Sequence, residues 1–510
     1  MATETTPVRG FKVYMAQTAL RQCMGMAVVA MVMPHSVPEV TSMSSEHDNA
    51  VRTSEFTWTS KFEGLILSAF TFGFLGTPII GGYIAGKYGG KIVITVSLVV
   101  ASTVTLATPE AARALPISLV ILRAIVGIFM GTVEPAIMAL WAEWAPEHEK
   151  ASLTSCSYAG LSIAGILTFF ISGYLGGVSL DNGWPLIFYV FGGFTLMCVF
   201  PWVLFVSDSP RDHPRITETE VKLITRERTY GQMDTKAQFM LQMPRPPWGK
   251  IFTSPAFWAI LIAHICHSWL TSWVMAYLPK YMKQILKYGI EQVMMMLQLQ
   301  LMMLMIIIHN KVNKCRKEGW AMGDPGTDGV WSSAPFAGRL LVGLASAFII
   351  DWVLSRRLLS TTNARKTFQL MGCVGCAVCI IPVGFLDHEN GTLAVTLLIL
   401  GISLQNCASV AFRINHLDIA PRFAGVLMGI TVTCAMVASL SAPLITSYVI
   451  KQGTREEWQI LFWIIGGLNI VSGCVFVVFG KGTELDWAKD KSFDVVSAHR
   501  THDGDGSYKP

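Results

Sequence analysis

Pro116–Leu140 reads PISLVILRAIVGIFMGTVEPAIMAL, 25 residues in which Arg123 and Glu134 are the charged side chains. At 1.5 Å per residue such a helix is about 37 Å long, enough to cross a hydrocarbon core of ~30 Å. Segments of similar length and low charge recur near residues 13–33, 62–85, 92–108, 153–178, 185–206, 255–280, 330–354, 367–387, 392–413, 423–449 and 459–480. The repeat predicts an all-α polytopic membrane protein with about twelve transmembrane helices. Its partner is the lipid bilayer.

Composition agrees. Hydrophobic residues make up 52% of the chain and charged residues 14%, with mean hydropathy +0.48, whereas a soluble domain carries about 25% charged residues. The net charge of +5 is spread over many loops and does not suggest a nucleic-acid surface. The start, MATETTPVRGFKVYMAQTALRQC, shows no cleavage region before its first apolar run, so the first helix is expected to act as its own insertion signal. Cys373, Cys376 and Cys379 form a C-x-x-C-x-x-C run in an apolar helix. With no His or carboxylate beside them they read as packing rather than metal ligands, and no cofactor is expected. No nucleotide-binding motif or nucleophile constellation points to a pump or an enzyme.

The hydrophilic stretch after the sixth apolar segment divides the chain. Residues 1–206 read as one six-helix bundle, 207–254 as a central cytoplasmic loop, 255–480 as a second six-helix bundle, and 481–510 as a disordered cytoplasmic tail. The Lys and Arg bias of short loops sets orientation. It puts Lys87, Lys91, the central segment and the Arg356–Lys366 loop on the cytoplasmic side with both termini. The acidic first loop and the sequon Asn390-Gly391-Thr392 fall outside, making Asn390 a glycosylation candidate. Lys280, Lys283 and Lys287, at an outer helix end, run against the bias.

One apolar stretch does not fit. Val293–Ile308 is a run of 16 residues interrupted by Gln298 and Gln300, and a helix of about 24 Å falls short of a usual span. A crossing there would also put the Arg356–Arg357 loop outside and the sequon inside. The segment is read as not crossing.

Several stretches together resemble one family: LRQCMGMAVVAMV, GGYIAGKYGGK, RAIVGIFMGTVEPAIMALWAEWAPEHEKASL, GWPLIFYVFG, PWGKIFTSPAFWAI, GVWSSAPFAGRLLVGLASAFIIDW, INHLDIAPRFAGVLMGI and TREEWQILFWI. They are similar to the anion:cation symporters of the major facilitator superfamily, which include sialin, the vesicular glutamate transporters and the sodium–phosphate cotransporters. The likeness covers nearly all of residues 12–488. It implies the two-bundle major facilitator fold, alternating access, a monomeric transport unit, and a small anion moving with H⁺ or Na⁺. In the family, text like IEQ runs almost directly into NGVWSS, whereas here residues 293–328 intervene. A retained intron or mispredicted exon is the leading reading of that insertion, and a lineage-specific outer loop the second.

Charge buried in hydrocarbon costs about 2.5–3.5 kcal/mol per residue and tends to mark ion and substrate pathways. That rule selects Arg21 in the first helix and Arg123 in the fourth, where the family also carries arginines, as anion-binding candidates. Their bland readings are a snorkelling helix-end arginine and a structural partner for a buried acid. Glu134 is expected to titrate as the coupling group, on the same face as Arg123; the glutamate transporters carry their glutamate where Met130 stands here. His267 falls where those transporters have an arginine, which argues against glutamate as substrate. It is a candidate for substrate binding or coupling, with packing as the alternative, as it is for His264. Asn415, His416 and Asp418 are expected in a cytoplasmic loop and helix start, capping and closing a gate, with Lys87 and Lys91 as gating positions. Rival readings are a facilitator or exporter of an uncharged solute, and a non-transporting scaffold or defective splice product. The membrane is expected to be plasma, lysosomal or vesicular.

Overall fold

In the computed structural model, residues 2–32, 55–56, 58–146, 149–176, 178, 180–225, 245–286 and 334–489 are described. The insertion at 293–328, part of the central loop and residues 490–510 lie outside them. The described residues form helices and connecting loops, without a strand.

The first half comprises α1 (Ala2–Met31), α2 (Ser60–Phe74), α3 (Thr77–Tyr88), α4 (Gly90–Ala114), α5 (Ile117–Gly131), α6 (Val133–Trp144), α7 (Lys150–Gly176) and α8 (Trp184–Phe205). Two short helices follow, α9 (Glu218–Thr225) and α10 (Trp248–Thr253). The second half comprises α11 (Pro255–Gln284), α12 (Ala334–Ser355), α13 (Thr361–Val383), α14 (Gly391–Ile419), α15 (Ala424–Val449) and α16 (Arg455–Phe479). Among the described residues 10 rods are long and apolar enough to cross a membrane, counting α2–α3 and α5–α6 as one rod each. α1 and α12 pack beside them as the first and eighth of the expected twelve.

Two expected continuous helices are broken. The rod read over 62–85 is interrupted at Gly76, whose φ of +84° suits a residue without a Cβ, and Pro78 then starts α3. The rod over 116–140 is interrupted at Thr132, because Pro135 lacks the N–H that would continue the ladder. The hydroxyl of Thr132 lies 2.7 Å from that of Ser97 on α4, which holds the break in place.

Two further expectations need correction. α14 runs to Ile419, so Asn415, His416 and Asp418 lie buried in its last turns rather than in a loop and helix start. No helix breaker occurs before Pro421, and the chain stays helical until then. The tail is ordered over its first residues: Leu485 donates its N–H to the Ile419 carbonyl at 2.9 Å, and Trp487 packs on Phe423 at 6.1 Å.

α1–α8 pack mainly among themselves, as do α11–α16. We call the membrane face near Ala2 and Lys489 the terminal face and the opposite one distal. The two halves meet chiefly on the terminal side, where α3 and α6 pack on α15, and the start of α7 meets the end of α12. α2, the distal part of the same rod as α3, makes no comparable contact with α15. A Cβ on Gly82 would strike the carbonyl of Gly425, and one on Gly429 would strike that of Pro78. Backbone therefore lies against backbone along this seam. Beside it, Asp351 of α12 accepts from the N–H groups of Ala151 (3.2 Å) and Ser152 (2.6 Å), capping α7 from the other half. The halves are clasped at the terminal face.

Candidate substrate site between the halves

Glu134 opens α6 just past the break at Thr132. Its carboxylate pairs with Arg413 of α14 at 2.5 Å and accepts from the Tyr158 hydroxyl at 3.2 Å. The Arg413 guanidinium lies 4.8 Å from the Tyr158 ring, which in turn stacks on Tyr14 of α1 at 4.7 Å. An ion pair thus bridges the two halves on the terminal side of the bundle.

Arg21 lies one turn beyond Gln17 and two beyond Tyr14 on α1, which puts the three on one face. Gln17 donates to the Met130 carbonyl at 3.0 Å, anchoring that face to the end of α5. The Arg21 side chain is exposed and rests over the Phe70 ring at 5.7 Å. Among the described residues no carboxylate pairs with it.

Arg123 is placed differently from expectation. It is 3% exposed, donates to the Leu20 carbonyl at 2.9 Å and to Cys23 Sγ at 3.4 Å, and lies over the Phe188 ring. It faces α1 and α8, whereas Glu134 faces α14, so the break separates two residues expected on one face. Gripping the carbonyl next to Arg21, Arg123 positions that part of α1.

In the second half, Arg339 of α12 puts Nη2 3.3 Å from His267 Nε2. A guanidinium can only donate, so Nε2 accepts and the ring proton sits on Nδ1. That nitrogen is buried and meets no acceptor. His267 thus orients Arg339. Asn406 donates to the Arg339 carbonyl. His264 packs on Phe412 at 5.1 Å, and His416 bridges the Arg413 carbonyl (2.9 Å) and the Thr431 hydroxyl (3.0 Å).

The candidate gating residues lie at the terminal face. Asp418 pairs with Arg365 at 2.8 Å and reaches Lys150 of the other half at 3.7 Å. The buried Asn415 carboxamide meets no hydrogen-bond partner, so it caps nothing. Lys91 acts through its backbone, donating to Asp208 at 2.8 Å, and Lys87 lies over the Tyr88 ring. Asn390 is exposed at the distal start of α14, 3.4 Å from Asp387. Cys373, Cys376 and Cys379 are buried within α13.

Sequence reasoning missed Arg413, Arg339 and Tyr158. The intramembrane-charge rule that selected Arg21 applies equally to Arg339. Arg413 was the last residue of the expected 392–413 span, where a charge reads as a helix-end cation, whereas α14 continues to Ile419.

The Major Facilitator Superfamily matches residues 19–443. The chain belongs to that superfamily. It is 30% identical over 479 residues to human sialin, covering 92% of this chain and 87% of that one. It is also 30% identical to vesicular glutamate transporter 1 of Xenopus tropicalis, covering 92% of this chain and 73% of that protein. Among solved structures, the proton:xylose symporter XylE superposes with a TM-score of 0.63 at 14% identity, over 95% of this chain and 96% of that one. This superfamily member is accordingly an integral, multi-pass membrane transporter.

Proposed function

We propose that the chain is a secondary active transporter that carries an organic or inorganic anion in symport with a proton or Na⁺, by alternating access. One observation supports this most: of Arg21, Arg339 and Arg413, only Arg413 has a carboxylate partner among the described residues, Glu134. Uncompensated guanidinium charge held out of bulk water attracts an anion and offers planar, bidentate donors for carboxylate or phosphate. An uncharged solute would leave that charge unanswered. The similarity to a vesicular glutamate transporter, whose name specifies an anionic amino acid, points the same way.

Glu134 is the coupling group in this reading. A proton on Glu134 removes its charge and weakens the bridge to Arg413, which helps the halves part at the terminal face. The structure's clasp then corresponds to a state open on the distal side. By the loop charges both termini and the terminal face are cytoplasmic, in a plasma, lysosomal or vesicular membrane. The test is uptake of glutamate, sialate, urate and phosphate into proteoliposomes under imposed pH and Na⁺ gradients, for the native chain and Glu134→Gln. Loss of gradient-driven uptake with retained substrate exchange is expected in the variant. Full proton-driven uptake by Glu134→Gln would remove its coupling role.

A further inference from the structure

We infer that the transported anion is a dianion, its two charges held by Arg21 of the first half and Arg339 of the second. This rests on the anion reading above and adds the charge and the clamp to it.

The charged side chains between the halves do not all remain open to a ligand. Arg413 is neutralised by Glu134 at 2.5 Å. Arg123 is buried in the first half against the Leu20 carbonyl. That leaves Arg21 and Arg339, neither with a carboxylate partner among the described residues. They belong to helices of opposite halves, α1 and α12. Arg21 stands two turns distal of Tyr14, which stacks on Tyr158 beside the Glu134–Arg413 pair, and Arg339 is bonded through its carbonyl to Asn406, two turns distal of Arg413 on α14. The two open guanidinium groups therefore lie on the distal side of the bridging pair, one in each half.

Both groups are also held in place before any ligand arrives. Arg21 rests over Phe70 at 5.7 Å, and Arg339 is held through His267 at 3.3 Å and through Asn406 at its carbonyl. Pre-ordered donors reduce the entropy lost on binding. A monoanion would neutralise one guanidinium and leave the other uncompensated as water is excluded. A dianion neutralises both and joins the two halves, so its preference grows as the local dielectric falls. Short dicarboxylates and hydrogenphosphate share this chemistry.

The experiment uses the full chain in lipid nanodiscs at about pH 7.5, where carboxylic acids are ionised. Two matched pairs separate the sources: glutarate against its monomethyl ester, and hydrogenphosphate against dimethyl phosphate. The dianion of at least one pair is expected to bind about tenfold tighter than its monoanion. Arg339→Gln and, independently, Arg21→Gln should each bring that pair to within about twofold, the dianion losing more affinity than the monoanion. A melting curve for each variant confirms that it is folded. Equal binding of the two members of both pairs by the native chain overturns the dianion inference and leaves anion transport standing. Binding of none of the four overturns both. A preference that survives in both folded variants removes the two arginines from the clamp.

Discussion

Glu134 and Arg413 come from different halves, so under the alternating access proposed above their pairing belongs to one conformation and breaks in another. With each side chain 15% exposed, removing one partner should cost less than the 3–5 kcal/mol of a fully buried pair. Arg413→Ala is expected to weaken the terminal-face clasp, increasing cysteine reactivity at that face in labelling assays. Arg123 acts through its neighbour. Arg123→Ala should raise KM severalfold for any substrate touching Arg21 and lower the melting temperature, while Arg123→Lys keeps part of the grip on the Leu20 carbonyl. If KM is unchanged in a folded Arg123→Ala, the positioning role falls. Arg21, Arg123 and Glu134 were legible residue by residue because lipid makes an intramembrane charge conspicuous, whereas Arg339, inside an expected span, was passed over. Their partners were not, since pairing depends on which helix faces which, and one sequence read alone carries no such distances.

At the scale of elements, apolar length placed the spans to within about six residues, except that α1 starts at Ala2 rather than near residue 13, and the misses inside the spans have local causes. Gly76 with Pro78 and Pro135 are breakers embedded in long apolar runs, and hydropathy averages over them. The C-terminal turns of α14 contain Arg413, Asn415, His416 and Asp418, so polarity suggested a loop where burial against the other half decides. The seam between α3 and α15 follows from glycines that permit backbone contact. Gly82→Leu should prevent that contact and bias the protein away from the clasped state, read as loss of transport with substrate access from the terminal face retained. Asp351→Asn keeps the shape of the α7 cap but removes its charge. The expected effect is a milder shift, about 0.3–1 kcal/mol toward opening, checked by double electron–electron distances across the terminal face.

Across the whole molecule, the distal ends of the first half are tied together by one residue. Glu55 accepts from Arg113 (2.8 Å), Trp184 (2.7 Å) and Asn182 (3.2 Å). Burial alone would raise its pKa, but these hydrogen bonds outweigh it and hold the carboxyl below its usual range. A depressed carboxylate stabilises the fold above its unfolded pKa and loses that contribution as pH falls through the folded value. The tie should therefore persist in a mildly acidic compartment and loosen only in stronger acid. Being partly exposed, it is worth at most about 1 kcal/mol. Melting curves of native chain and Glu55→Gln should differ near neutral pH and converge in strong acid. Orientation can be checked separately: Asn390→Gln is expected to abolish a glycosidase-sensitive mobility shift if the distal face meets the lumen during synthesis.

The backbone-on-backbone seam at Gly82, Gly425 and Gly429 has a kinetic consequence. At those glycines closing it freezes no side-chain rotamers, while beside them Met428 and Val432 pack into the first half's core and must withdraw when it opens. The glycine contacts themselves add no rotamer cost to parting and rejoining; the apolar side chains beside them do. The timing of each cycle is then left to the apolar and charged contacts beside it.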